Sequence, residues 1–196
     1  NASLLQDDII DNSETRRGYK TCHMLYGVKP TIFASNYILS KSSKAILNRG
    51  IPQLNEIYSS IIYDLTYGEY QQTINRSNEY STNKEDIKKL LQTYIIKTYF
   101  KTASLISSSF RAVGLIYELS DENQYKLFKL GLHLGQLFQL VDDIFDVEGS
   151  SSQLKKPAFK DLSEGVINSH ILFELQGQNG NEMIELINRK FQGKED

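Results

Sequence analysis

Cysteine is nearly missing: the 196-residue chain has one, Cys22, which excludes an internal disulfide and any cysteine zinc site. Its three histidines, His23, His133 and His170, are scattered without ligand spacing and read as packing or surface residues. Charge of one sign is also lacking. A net charge of −2 leaves no electrostatic footprint for nucleic acid. No uncharged apolar run approaches the roughly 20 residues that cross a bilayer, and no signal-peptide pattern is present. The length suits one domain with a full core. The chain opens at Asn1 inside a helical pattern, so the expectation is a single domain, 1–196, incomplete at the N-terminus and the C-terminus.

What the sequence has instead is acid in a repeated arrangement. Six of its eleven aspartates stand in two copies of D-D-x-x-D, Asp7-Asp8-Ile9-Ile10-Asp11 and Asp142-Asp143-Ile144-Phe145-Asp146, far too many for chance placement. On a helical wheel Gln139, Asp142, Asp143 and Asp146 fall within an arc of about 100°, with Leu137, Phe138, Leu140, Val141, Ile144 and Phe145 on the other side. The expectation is a buried helix with acids along one edge. Like charges one turn apart cost roughly 0.2–0.5 kcal/mol per pair on a solvated helix. Facing a cavity they cost more, so something positive should sit there.

The rest of the chain reads as helices. Asn1 to about Asp11 is an amphipathic helix end, and NSETRRGYKT after it is a polar loop around Gly18. Arg16 and Arg17 in that loop are either a solvated surface or phosphate-binding guanidiniums beside three acids. Pro30 suits a first helical turn of a segment reaching Leu47, and Pro52 opens another with Leu54, Ile57, Tyr58, Ile61, Ile62 and Leu65 in helical register. Asn75 to Asn83 is a polar linker. Asp86 to Leu119 holds no proline and allows about thirty helical residues, with Tyr94, Thr98, Lys101, Thr102 and Leu105 on one face. An unpaired ammonium at Lys101 would be poorly placed on that face. Ser120 caps the next helix, where Gly131 and Gly135 admit another backbone. A loop with Lys155, Lys156 and Lys160 follows, either a mobile surface or a phosphate cover, and then helical segments from Asp161 to Leu175 and from Gly180 to about Lys190. No alternating strand pattern appears, so the predicted class is all-α.

Taken together, ASLLQDDIIDNSETRRG, YGEYQQ, KTASL, GQLFQLVDDIFDVEG and KKPAFKDLSEG resemble, in that order, the trans-prenyltransferase family, the polyprenyl diphosphate synthases. The resemblance implies a helical bundle around a deep central cavity, the isoprenoid synthase fold, with both acid motifs near its mouth. It implies that Asp7, Asp8, Asp11, Asp142 and Asp146 hold about three Mg²⁺ ions on an allylic diphosphate. Arg16, Lys101 and Lys156 would contact that diphosphate and Arg17 the isopentenyl diphosphate. Thr102 and Gln139 would line the reacting end, with Asp143 and Asp161 acting through metal-bound water. A homodimer and binding of bisphosphonates, which mimic diphosphate, are implied on the same grounds.

Ala2 and Ser3 lie about one helical turn before Asp7, where short-chain family members place aromatic rings. Small residues leave a passage, so the expectation is a long-chain synthase, unless a bulky residue on another helix closes the cavity. Geranylgeranyl or farnesyl synthesis is the alternative within the fold, and a non-catalytic regulatory subunit the alternative outside it. Six carboxylates kept with Arg16, Arg17 and Lys101 argue against the latter. The chain departs from the family's usual residues at Gln6 (His), Ser35-Asn36 (Gly-Asp), Phe159-Lys160 (Gly-Thr) and Val166 (Lys), and it has no G-K-x-x-R-P element.

Overall fold

In the computed structural model, the residues described are 1–74, 84–148, 168–177 and 180–188. Two compact units divide the chain, Asn1–Ser60 and Ile61–Asp196.

In the first unit α1 (Ala2–Ile10) is followed by a pair of two-residue strands, β1 (Thr15–Arg16) and β2 (Tyr19–Lys20), then α2 (Cys22–Tyr26) and α3 (Val28–Leu47). The segment expected to be a loop is therefore a tight antiparallel hairpin, with Arg16 paired to Tyr19 and Thr15 to Lys20. Its two turn residues, Arg17 and Gly18, both have positive φ, 54° and 81°. That is the hand of turn that matches strand twist, and Gly18 adopts it without strain while at Arg17 it costs about 1–2 kcal/mol. No periodic pattern in two-residue strands could have disclosed it. Helix α3 begins where the positive φ of Gly27, 87°, turns the chain, and Pro30 falls in its first turn as expected. Buried Ser35 crosses α1 closely, donating its hydroxyl to the Ala2 carbonyl at 2.8 Å.

Helix α4 (Pro52–Ile74) runs through the boundary and buries Leu54, Ile57 and Ile61, the expected stripe. The second unit continues with α5 (Lys84–Thr98), a π-helical segment (Tyr99–Ala103), α6 (Ser104–Ile116), α7 (Asp121–Glu148), α8 (Ser169–Glu174) and α9 (Gly180–Asn188). The long helix expected from Asp86 to Leu119 is thus interrupted. A π turn holds an extra residue, and such bulges concentrate at functional sites. It also shifts the face: Tyr94 and Thr98 are buried before it, while Leu105 after it is exposed, contrary to the shared face expected.

Two glycines decide how α7 packs. A Cβ at Gly131 would lie 2.7 Å from the Ser107 Cα, and one at Gly135 only 2.5 Å from the Ala103 Cα. The backbones of α6 and the π segment therefore rest on α7 along this stripe, and the buried face of α7 runs through Gln124, Gly131, Gly135 and Asp143. This overturns the expectation of a buried helix with an apolar underside. Leu137, Phe138, Leu140, Val141, Ile144 and Phe145 are 39–62 % exposed. Close contact through glycine puts Asp143 inward and leaves the apolar side exposed. A small apolar cluster of Ile171, Leu175, Ile184 and Ile187 ties α8 to α9. Among the described residues no helix is long and apolar enough to cross a membrane.

Candidate functional site

The first acid motif occupies the last turns of α1, and the hairpin that follows folds Arg16 back onto it. Arg16 Nε donates to Asp8 Oδ1 at 2.6 Å and its Nη2 to Asp7 Oδ2 at 3.0 Å. The Asp8 side chain is only 6 % exposed, so its carboxylate has exchanged water for a guanidinium. Arg17, in the turn that follows, is exposed at the hairpin tip. The hairpin is anchored at its base by Thr21, whose hydroxyl donates to the Ser13 carbonyl at 2.7 Å. Asp11 caps the C-terminal end of α1, its N–H donating to the Asp7 carbonyl at 2.9 Å. Ala2, half-buried, and exposed Ser3 stand at the other end of the same helix. Two of the departures from the usual family residues meet here: Gln6 Nε2 donates to Asn36 Oδ1 at 3.2 Å.

The second motif, on α7, belongs to the other unit. The π segment carries Lys101 and Thr102, and the glycine contacts bring it against α7 so that Thr102 Oγ1 donates to Gln139 Oε1 at 3.1 Å. Gln139 Nε2 in turn donates to Asp143 Oδ1 at 3.1 Å. The other oxygen of Asp143 accepts the Tyr94 hydroxyl at 2.8 Å and the Ser169 N–H at 2.9 Å. Asp143 is 4 % and Tyr94 7 % exposed. Burial, and then the adjacent carboxylate, push the Tyr94 hydroxyl far above the usual tyrosine range. Asn168 caps α8, its side chain accepting from the Ile171 N–H, and so fixes where Ser169 presents its N–H. Asp142 is exposed and Asp146 half-buried on the same stretch of helix.

Lys101 pairs with Glu69 of α4 at 3.8 Å, which supplies the counter-charge expected of it. Nearby, the Tyr99 hydroxyl contacts Asp64 at 3.4 Å, and burial raises the pKa of both groups. A Cβ on Gly68 would lie 2.8 Å from the Phe100 Cβ, so α4 crosses the π segment at contact distance.

Within each unit, then, the expected site residues assemble: Asp7, Asp8 and Arg16 in one, Lys101, Thr102, Gln139 and Asp143 in the other. Lys156 and Asp161 lie outside the described residues. Sequence reasoning missed Tyr94 as a site residue and treated it only as part of a helical face. A signal was available, since a buried middle acid requires donors and Tyr94 lies on a neighbouring buried helix face. Ser169 contributes through its backbone, which no side-chain pattern discloses. Among the described residues no three His, Cys, Asp or Glu side chains gather closely enough to enclose a cation by themselves.

The polyprenyl synthetase family profile matches residues 1–196. A "Prenyl transferase" of Cyanophora paradoxa is 36 % identical over 195 residues, covering 100 % of this chain and 57 % of its own. A "Probable hexaprenyl pyrophosphate synthase, mitochondrial" of Yarrowia lipolytica is 38 % identical over 196 residues, covering 100 % and 42 %. The crystal structure of heptaprenyl diphosphate synthase from Staphylococcus aureus superposes with a TM-score of 0.81 at 28 % identity, covering 100 % of this chain and 57 % of that one. The chain spans about half the length of the curated relatives it matches. Both acid motifs, the Lys101-Thr102 segment and an all-α isoprenoid synthase fold thus stand in a chain that belongs to the polyprenyl synthetase family.

Proposed function

We propose that this protein acts as a trans-polyprenyl diphosphate synthase, joining isopentenyl diphosphate to an allylic diphosphate to make a long-chain product. The observation that carries the reading is the Thr102–Gln139 hydrogen bond, which holds the Lys101-Thr102 pair against the helix of the second acid motif. Arg16 and Lys101 supply fixed positive charge for diphosphate, and Arg17, exposed at the hairpin tip, suits the second diphosphate.

The donor chemistry fits Mg²⁺. Every candidate ligand, Asp7, Asp8, Asp11, Asp142 and Asp146, offers hard carboxylate oxygen, and Mg²⁺ takes one or two carboxylates plus phosphate oxygens rather than a closed protein cage. When bound, the ions neutralise charge on the leaving diphosphate.

In the reaction the allylic C–O bond breaks and its electron pair leaves with diphosphate. The double bond of isopentenyl diphosphate then forms the new C–C bond, and loss of a proton from the adjacent carbon to the released diphosphate restores a double bond. Lys101 and Arg16 bind and orient; no side chain acts as a nucleophile. Stabilisation of developing charge by fixed groups is the protein's main contribution. Lys156 and Asp161 lie outside the described residues, and their roles rest on the resemblance alone: Lys156 would be a third cation for the diphosphate and Asp161 would act through metal-bound water.

Long products follow from Ala2 and Ser3, and names such as hexaprenyl and heptaprenyl among the relatives support that choice. Exposed Phe33 and Tyr37 on α3 supply apolar surface for a homodimer, which light scattering would reveal as twice the chain mass. The decisive experiment incubates the protein with labelled isopentenyl diphosphate, several allylic primers and Mg²⁺ and sizes the products. Long chains are expected, and Ala2→Phe with Ser3→Phe should shorten them. No condensation with any primer would favour a regulatory subunit.

A further inference from the structure

We propose that Asp143 and Tyr94 together set the polarity of the Thr102 hydroxyl, and that Tyr94 is a positioning residue for the condensation; the kinetic part rests on the function proposed above. The argument needs only donor and acceptor chemistry. Both oxygens of the Asp143 carboxylate accept and cannot donate. The group of Gln139 that lies 3.1 Å from Oδ1 must therefore be its NH₂, which turns Oε1 toward Thr102. That oxygen also only accepts, so at 3.1 Å the Thr102 hydroxyl must be the donor. The assignment follows from the network alone.

The consequence is electrostatic. With its proton committed to Gln139, Thr102 Oγ1 offers lone pairs on its remaining side. A bound molecule meets the negative end of a dipole that a buried carboxylate polarises through one neutral amide. That is the polarity an allylic cation needs, and at this point it is presented by a neutral hydroxyl rather than by the Asp143 carboxylate itself. Reversing the chain would present the Thr102 proton to the cation instead.

Tyr94 and the Ser169 N–H hold the far oxygen of Asp143 at 2.8 and 2.9 Å. They come from α5 and the first turn of α8, so the carboxylate is gripped from two elements besides its own and cannot rotate away from Gln139. Tyr94 itself touches neither Thr102 nor Gln139 through any of these bonds, and its influence runs through Asp143.

The test is Tyr94→Phe, alone and with Thr102→Val. Tyr94→Phe should lower kcat about tenfold while KM for both diphosphates stays within about twofold. In the Thr102→Val background, where no hydroxyl polarity remains to be set, it should cost nothing further. Asp143→Asn, whose amide permits Gln139 to invert, should lower kcat at least as far as Tyr94→Phe does. Wild-type kcat in Tyr94→Phe, or losses that multiply in the double variant, would overturn the inference. Thermal melts read the same cycle without substrate: a network makes the two Tm losses non-additive, and additive losses overturn it. A wild-type protein that condenses nothing would sink the proposed function, and the melts alone would then decide the network.

Discussion

In the first acid motif the middle carboxylate, Asp8, is buried beside a guanidinium; in the second, the middle carboxylate, Asp143, is buried among three neutral donors. Spacing and residue types are the same. The compensation differs, and so does what each motif can do. Arg16 sits on a two-residue strand, its side chain 31 % exposed, and one cation on such a support can be shared with or replaced by another. The donors to Asp143 are a phenol, an amide and a backbone N–H from three helices, all held by packing. A formal charge beside Asp8 makes that carboxylate responsive to ions, whereas the fixed dipoles around Asp143 make it one that orients its neighbours.

Removing the buried acid of the second motif should have the largest effect. Asp143→Ala strands three donors at once, each worth about 1–3 kcal/mol when left unpaired. Because the three share one partner, the losses will not add fully, and about 3–5 kcal/mol is expected. That corresponds to a fall in Tm on the order of 10 °C for a chain of this size. Mg²⁺ should not restore it. A loss under about 1 kcal/mol by urea unfolding would show that the three bonds are not what holds this region.

Next comes the contact that places the π segment. Gly135→Ala puts a methyl within 2.5 Å of the Ala103 Cα, and backbone rather than a flexible side chain must yield. Overpacking of this kind costs about 1–3 kcal/mol. The sharper reading is local, since a displaced π segment carries Thr102 away from Gln139. Loss of turnover greater than the loss of stability implies would confirm that this glycine serves the second motif; equal, modest changes would not.

Arg16→Gln tests the other side of the comparison. Asp8 keeps its burial and loses its counter-charge, a change worth several kcal/mol in a closed interior and about 1–2 kcal/mol here, where Arg16 and Asp7 are partly wet. If an exchangeable cation is what this motif needs, millimolar Mg²⁺ should raise the Tm of Arg16→Gln more than that of the wild type. Equal shifts in both proteins would mean that the guanidinium and the metal act independently.

How far the chain could be read beforehand follows from the same contrast. Helices α3 and α4 were legible because apolar residues recur every three to four positions and proline marks their starts. The acids of both motifs, and the lysine and threonine of the π segment, were legible as chemistry that carries its own residue types. The hairpin was not, because Thr15, Arg16, Tyr19 and Lys20 are too few for a period and the left-handed turn rests on Arg17 and Gly18. Nor was the inverted packing of α7. Leu137 to Phe145 read as an interior side by composition, yet Gly131 and Gly135 decide the contact by allowing backbones to touch. Hydrophobicity ranks residues by preference, and the absence of a single Cβ can outrank it. Tyr94 escaped notice because its role depends on a partner forty-nine positions away.

The smallest expected effect lies in the alkaline pH dependence of Tyr94. An unfolded tyrosine ionises near 10.0, while burial and Asp143 keep the native hydroxyl protonated well beyond that. Above pH 10.0 the unfolded chain therefore releases a proton that the native chain retains, and stability falls as pH rises. The contribution of Tyr94 is complete below pH 10.0 and shrinks steadily above it. The Tyr94→Phe variant has no phenolic proton to lose at this position, so its urea-unfolding curves and those of the wild type should differ by about 1–2 kcal/mol near pH 7 and draw together between about pH 10 and 11. Arg16→Gln should show no such convergence with the wild type, because a guanidinium stays protonated throughout that range. Parallel curves for Tyr94→Phe would mean that the phenol is not held by the carboxylate, and the distinction between a motif set by dipoles and one set by charge would lose its footing.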